Sequence, residues 1–380
     1  MTWTRRDLLL GGLGVVAGGL AGCVGQRDTG SGGSPTDAGE EAGGGGDSGA
    51  GTGRTETARR TEFESPIPTA EGSLHLAYDM ETLRKNVRAG GPPKDGIPSI
   101  DDPKFAGASG VDLDDGEPVF GLVRNGVVRA YQQRILAHHE IVNDVVGGEG
   151  VAITYCPLTG TAQGFERGDV EFGVSGRLLN SNLVMYDRHA DSRWPQMLGT
   201  AISGPMTGAT LREFRLVWMT WGRWKELHPD TEILTEDTGF ARRYDNDPYG
   251  DYNPASGYYS NHNTLFPPLE PDNRAGTKTV VIGARDSEGA LALDKNNLLL
   301  ERVATTSIGD TGFVAVAEPT LQTGYVYENP GGLTVEADGD QYRVDGEQYG
   351  ATDLPLDRLL AFDSMWFAWA GYYPETTYVE

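Results

Sequence analysis

Cysteine is almost absent from this 380-residue chain: there are two, Cys23 and Cys156. If Cys23 is used elsewhere, no disulfide can close within the rest, and stability must come from a core. Lysine is scarce as well, limited to Lys85, Lys94, Lys104, Lys225, Lys278 and Lys295. With 55 acidic against 31 basic residues and a formal charge of -24, there is no basic stripe to displace counterions from phosphates, so nucleic acid is excluded as a partner. Dense carboxylates with few lysines keep a protein hydrated in concentrated salt, where repulsion is screened within a few ångströms, and they point to a halophilic archaeal source. The sequence also lacks a Walker loop, a dinucleotide fingerprint, a Gly-x-Ser-x-Gly elbow, a His-Glu-x-x-His helix and a Cys-x-x-Cys-His haem site. These absences remove the commonest nucleotide, α/β-hydrolase, zincin and cytochrome readings.

What is present begins with an address. Arg5-Arg6 precedes Leu8-Leu9-Leu10 and a Gly-rich apolar run that ends in Leu20-Ala21-Gly22-Cys23. The run is shorter than the roughly 20 residues a spanning helix needs, so it reads as a twin-arginine signal rather than an anchor. Leu-Ala-Gly-Cys is a lipobox, which predicts residues 1–23 as a signal peptide with Cys23 lipidated. The expected partners are the twin-arginine translocase during export and then the membrane, with the protein at its extracytoplasmic face. Residues 24–65 are Gly, Ser, Thr, Asp, Glu and Arg with almost nothing apolar, and are expected to be a disordered tether.

Residues 66–380 are long enough for a single globular domain. Short β-type runs dominate: Val119–Val123, Val127–Tyr131, Val151–Tyr155, Val170–Val174, Leu183–Tyr186, Val280–Ile282, Phe313–Ala317, Gly324–Tyr327 and Gln341–Val344. Asn125-Gly126 marks a tight hairpin, because both residues tolerate positive φ. Helical patterning is confined to Ile135–Val145, Leu216–Leu227 and Leu356–Tyr372. The expected class is α+β, mostly antiparallel β with a few short helices. At a constant offset of 162, Gly121, Ala130, Gly147, Gly150 and Pro157 fall on Gly283, Ala292, Gly309, Gly312 and Pro319. This suggests two degenerate β-rich repeats over 117–175 and 279–337, with Glu318 in the place of Cys156; chance matching of Gly-rich loops is the alternative.

Between Arg134 and Pro229 the polar residues become specific. Ala137-His138-His139-Glu140-Ile141-Val142-Asn143-Asp144 and Tyr155-Cys156-Pro157-Leu158-Thr159-Gly160 are followed by Leu183-Val184-Met185-Tyr186-Asp187-Arg188, Trp194-Pro195-Gln196, Thr220-Trp221 with His228-Pro229, and Trp366-Phe367-Ala368-Trp369. Together these motifs resemble the domain of unknown function 3179 family, whose name implies no activity. Many members look to carry Cys-Pro-Leu-Cys where this chain has Cys156-Pro157-Leu158-Thr159, so a two-thiol role is unsupported here.

Two classes of function stay open. In the first, Cys156, His139 and Glu140 form a nucleophilic site in which His139 lowers the thiol pKa, Glu140 orients the imidazole and the turn at Gly160 holds an oxyanion. A metal variant has Cys156, His139 and His228 holding copper or zinc. Against both stands a plain buried thiol. In the second class the protein is a non-catalytic extracytoplasmic binding lipoprotein, with Tyr186, Asp187, Arg188 and Trp194 lining a pocket for a carboxylate or sugar; the alternative for these residues is a brace in which Asp187 and Arg188 hold a loop while Trp194 packs beneath. Trp218, Trp221 and Trp224 recur every three residues and are expected on one helical face. The tyrosine-rich stretch Tyr244–Asn261 reads as a long ordered loop.

Overall fold

A computed structural model describes residues 65–380, so the signal peptide, Cys23 and nearly all of the expected tether lie outside the described residues. The architecture is α+β, with antiparallel pairing predominant and short helices at the strand junctions. Among the described residues no helix is long and apolar enough to cross a membrane.

The order of elements runs twice. The first run is β1 (Pro118–Arg124), β2 (Val127–Gln132), α1 (Gln133–His139), β3 (Ile141–Val146), β4 (Glu149–Cys156) and β5 (Thr161–Glu166). After it come β6 (Phe172–Leu179), β7 (Asn182–Asp187) and β8 (Arg193–Pro195), then β9 (Val217–Thr220), α2 (Trp221–Leu227) and β10 (Glu232–Leu234). The second run is β11 (Val280–Arg285), β12 (Ala290–Asp294), α3 (Lys295–Glu301), β13 (Val303–Ile308), β14 (Thr311–Glu318) and β15 (Thr323–Glu328). It closes with β16 (Ala361–Met365), α4 (Trp366–Tyr372) and β17 (Thr377–Val379). From α1 to β5 every boundary recurs 162 residues later, from α3 to β15.

Sheet order repeats with the elements. In the first run β9-β1-β2-β10, with β2 and β10 parallel, belongs to a five-stranded sheet completed by Phe105–Gly107 beside β10, and β5-β4-β3 to a four-stranded sheet edged by Glu213–Phe214; in the second, β16-β11-β12-β17 and the β15-β14-β13 sheet edged by Arg358–Leu359 correspond to them, without the fifth strand. Each run is pinned by a tryptophan over a glycine. A Cβ on Gly121 would lie 2.1 Å from the Trp224 ring, and one on Gly283 would lie 2.3 Å from Trp369. The indole nitrogens donate to Thr231 and Thr376 at 2.9 and 3.0 Å. Such buried indoles need a polar partner as well as a flat seat, and only glycine leaves the seat vacant.

Local chemistry explains most elements. Asn125 and Gly126 adopt φ of 50° and 77° and turn β1 into β2. All three expected helices are shorter than their patterning suggested, the second beginning only at Trp221. Ile141–Val145 belongs to β3, because Glu140 takes φ of 58° and ends α1 there. Ala361–Met365, within the third helical pattern, is strand β16. Trp218 sits on β9 whereas Trp221 and Trp224 sit on α2, so the three rings do not share a helical face. The largest core packs β6, β7 and α4 around the completely buried Trp194, Trp366 and Trp369.

Candidate functional site

The chain reversal at Glu140 decides the geometry around Cys156. The buried His139 ring meets the Pro98 carbonyl at 2.7 Å and the Tyr244 hydroxyl at 2.6 Å. A carbonyl can only accept, so Nδ1 carries the proton and Nε2 accepts from Tyr244. Burial lowers the His139 pKa to about 4, so the ring is neutral near pH 7. Both nitrogens are therefore engaged by partners other than the thiol.

Glu140 is instead the charged-capable neighbour of Cys156. Burial pushes its carboxyl pKa up to about 8. Burial, then the carboxylate of Glu140, pushes the Cys156 thiol up to about 11. Cys156 is 1% exposed, and its thiol donates a long bond of 3.7 Å to the Ser181 carbonyl. The turn beyond it is closed on itself: the amides of Thr159 and Gly160 donate to the carbonyls of Cys156 and Pro157 at 3.3 and 3.4 Å. A sealed thiol without an imidazolium, and with its turn amides engaged, is poorly arranged for nucleophilic attack.

The other expected groups are placed as follows. His138 bonds the Asn246 carbonyl at 3.0 Å. His228 stacks on Trp224 with ring centroids 4.3 Å apart, at the end of α2. No cluster of three His, Cys, Asp or Glu suited to a metal occurs among the described residues, so Cys156, His139 and His228 are not brought together. Tyr186, Asp187, Arg188 and Trp194 do meet, as a brace. Asp187 accepts from the amides of Ala190 and Ser192 and from the Trp194 indole at 3.0 Å. Arg188 already spans Asp101 and Glu171 at 2.7 and 2.5 Å. Trp194 is fully buried, which leaves no face for a ligand to stack on.

The tyrosine-rich loop covers α1 and β4. Tyr259 reaches the Tyr155 hydroxyl and Gln133, each at 3.2 Å, and Tyr258 donates to the Leu158 carbonyl at 2.8 Å. Asp247 accepts from Gln133 at 2.9 Å and from the Tyr249 amide at 2.8 Å, so this carboxylate holds the loop.

The family described as a protein of unknown function (DUF3179) matches residues 94–376, a span that contains the Cys156 turn, the brace and the tyrosine loop. The chain belongs to this family. No curated protein and no solved structure matches it.

One opening in this DUF3179 chain was not foreseen from sequence. A groove of about 290 Å³ lies where the two runs face each other, walled by Tyr252 and Trp218 and by Thr220, Arg223, Lys295 and Asp363. Trp218 and Tyr252 pack with centroids 4.5 Å apart. Lys295 pairs with Asp363, while one Arg223 nitrogen holds the Thr320 carbonyl at 2.9 Å. Lys295 and Asp363 are far from Trp218 in sequence, so no local motif announces the groove. The one available signal was the offset of 162, which sets Lys295 against Gln133.

Proposed function

We propose that this protein is an exported lipoprotein, held outside the cell by a lipid on Cys23, whose folded domain binds a small hydroxylated carboxylate such as a sugar acid. The observation that carries the reading is the groove between the two runs, which puts aromatic surface, two cations and a carboxylate acceptor around one open space. Arg223 would take the carboxylate, Lys295 with Asp363 would meet hydroxyls, and Tyr252 would cover the sugar face. Binding rather than catalysis is favoured because His139 is engaged with Pro98 and Tyr244 and because Cys156 is sealed. The recurrence of elements at a fixed offset supports an origin by duplication, with the ligand taken at the seam of the two copies.

The test is isothermal titration with galacturonate, with galactose as the uncharged comparison. Galacturonate should bind with a Kd below about 1 mM and galactose at least about tenfold more weakly. Arg223→Ala should weaken galacturonate by about tenfold or more, with an unchanged unfolding midpoint. Equal binding of the two sugars, or an unaffected Arg223→Ala protein, would refute the assignment.

A further inference from the structure

The chain is strongly acidic, yet cations gather on one face of β6. A cleft of about 450 Å³ is lined by Lys94, Arg177 and Arg193 together with the Gly91–Pro93 loop. A second of about 320 Å³ adjoins it, sharing Arg177 and Arg193 and adding Arg84. Among the described residues the only carboxylate paired with this group is Asp191, which serves Lys94 at 2.7 Å and Arg193 at 3.2 Å. Among the described residues Arg84 and Arg177 have no ion-pair partner; Arg84 turns its Nε to the Met80 carbonyl of its own helix. The Nη1 of Arg193 is buried without a hydrogen-bond partner. Buried guanidinium nitrogens normally find an acceptor, so this one is short of an oxygen.

The backbone builds this cleft deliberately. β6 and β7 lose register between Val174 and Arg177, and in that bulge the Arg177 amide donates to the Ser175 hydroxyl at 3.1 Å. Gly176 takes φ of 71° under the proline loop, where a Cβ would lie 2.3 Å from the Pro92 carbonyl. A bulge of this kind redirects the next side chain, and Arg177 is the residue turned out into both cavities. Lys94 and Arg193 lie on the Tyr186 ring, 3.8 and 5.3 Å from its centroid, which fixes the spacing of the two charges.

We infer that this double cleft binds a phosphate or sulfate monoester, the dianionic head between Arg177, Arg193 and Lys94 and the rest of the molecule in the adjoining cavity beside Arg84. Planar guanidinium forks match tetrahedral oxyanions bidentately, and they retain their hydrogen bonds in salt that screens long-range attraction. An inorganic ion alone would leave the second cavity empty. The ester belongs either to a soluble metabolite or to a lipid headgroup at the membrane from which the domain is proposed to hang.

The experiment uses the full chain carrying Cys23→Ser, so that no acyl chain contributes to membrane binding. Glycerol 1-phosphate is titrated calorimetrically, and vesicles of phosphatidic acid are compared with vesicles of phosphatidylcholine by co-sedimentation. Binding of glycerol 1-phosphate with a Kd below about 1 mM, or retention on phosphatidic acid vesicles only, supports the site; the first identifies a soluble ester and the second a lipid. Arg177→Gln, an exposed change, should weaken either interaction by about tenfold while leaving galacturonate titration unchanged. Absence of both interactions, or binding that Arg177→Gln and Arg193→Gln leave intact, overturns the inference. Because the readout at Arg177 is separate from that at Arg223, the two sites can fail independently.

Discussion

Glu140 offers the sharpest measurement. Of the buried acids, Asp144 is held by Arg129 and Tyr131, Asp187 by three donors and Asp363 by Lys295. Glu140 has no side-chain hydrogen bond or ion pair among the described residues, and burial alone pushes its pKa from the ordinary 4.5 to about 8. A raised acid is protonated in the fold and ionised in the unfolded chain, so unfolding releases a proton between those values. Stability is therefore full below about pH 4.5, falls as pH rises toward 8, and is level above it. At 1.36 kcal/mol per pH decade the whole fall has a ceiling of about 5 kcal/mol, reduced where the site relaxes or admits water. Glu140→Gln removes the titration but keeps the shape. Urea unfolding followed by tryptophan fluorescence, run in steps from acid to alkaline pH, should show the two proteins diverging by about 2–5 kcal/mol in favour of the variant at high pH. Any fixed offset from the amide cancels in that difference, as do the shared groups that Glu140 does not touch; Cys156 and Tyr249, which its charge raises, titrate above this window. Parallel curves, separated by a constant within about 0.5 kcal/mol, would refute the assignment of Glu140 as a buried unpaired acid.

Three further outcomes follow from the same structure. Cys156 should react with iodoacetamide on the order of a thousandfold more slowly in the native protein than in urea, read by mass spectrometry, because alkylation of a sealed thiol waits for opening. Gly121→Ala and Gly283→Ala should each lower unfolding free energy by about 1–3 kcal/mol or more, since each added methyl enters an indole seat; markedly unequal losses would argue against equivalence of the two runs. Cell fractionation should find Cys23→Ala protein released from the membrane and Arg5→Lys, Arg6→Lys precursor retained inside.

The strands were legible because their signals are local. Gln341–Val344 is a strand with the same bounds its alternation suggests, and Asn125-Gly126 turns where expected. The errors arose where a nonlocal or rare event intervened. Ile135, Leu136, Ile141, Val142 and Val145 fit a helical spacing, but Glu140 adopts a left-handed conformation that few non-glycine residues take, and no sequence pattern marks it. His139 is instead engaged by the Pro98 carbonyl and the Tyr244 hydroxyl, partners distant in sequence that no local pattern announces. Trp218 kept the three-residue spacing of its neighbours while lying on a strand. The brace of Asp187, Arg188 and Trp194 was legible as the alternative to a pocket, and the complete burial of Trp194 decides between them. The groove and the basic cleft join residues from distant segments, and their chemistry depends on packing alone.

The two runs also show how one frame can hold different chemistry. Glu140 and Arg302 occupy the same place, each ending a helix at positive φ, 58° in one and 73° in the other. The position imposes its strain on both copies, so the strain belongs to the frame rather than to a reaction at Glu140. What differs is the partner. Arg302 reaches the Tyr342 hydroxyl at 3.2 Å, supplied by the hairpin between β15 and β16. Glu140 meets Cys156 and the tyrosine loop, which offer it no cation. A buried acid retained without a counter-charge destabilises the fold as pH rises, so stability alone does not account for it at this position. If Glu140→Gln proves more stable at neutral pH without loss of ligand binding, the unpaired carboxyl serves neither the fold nor the groove.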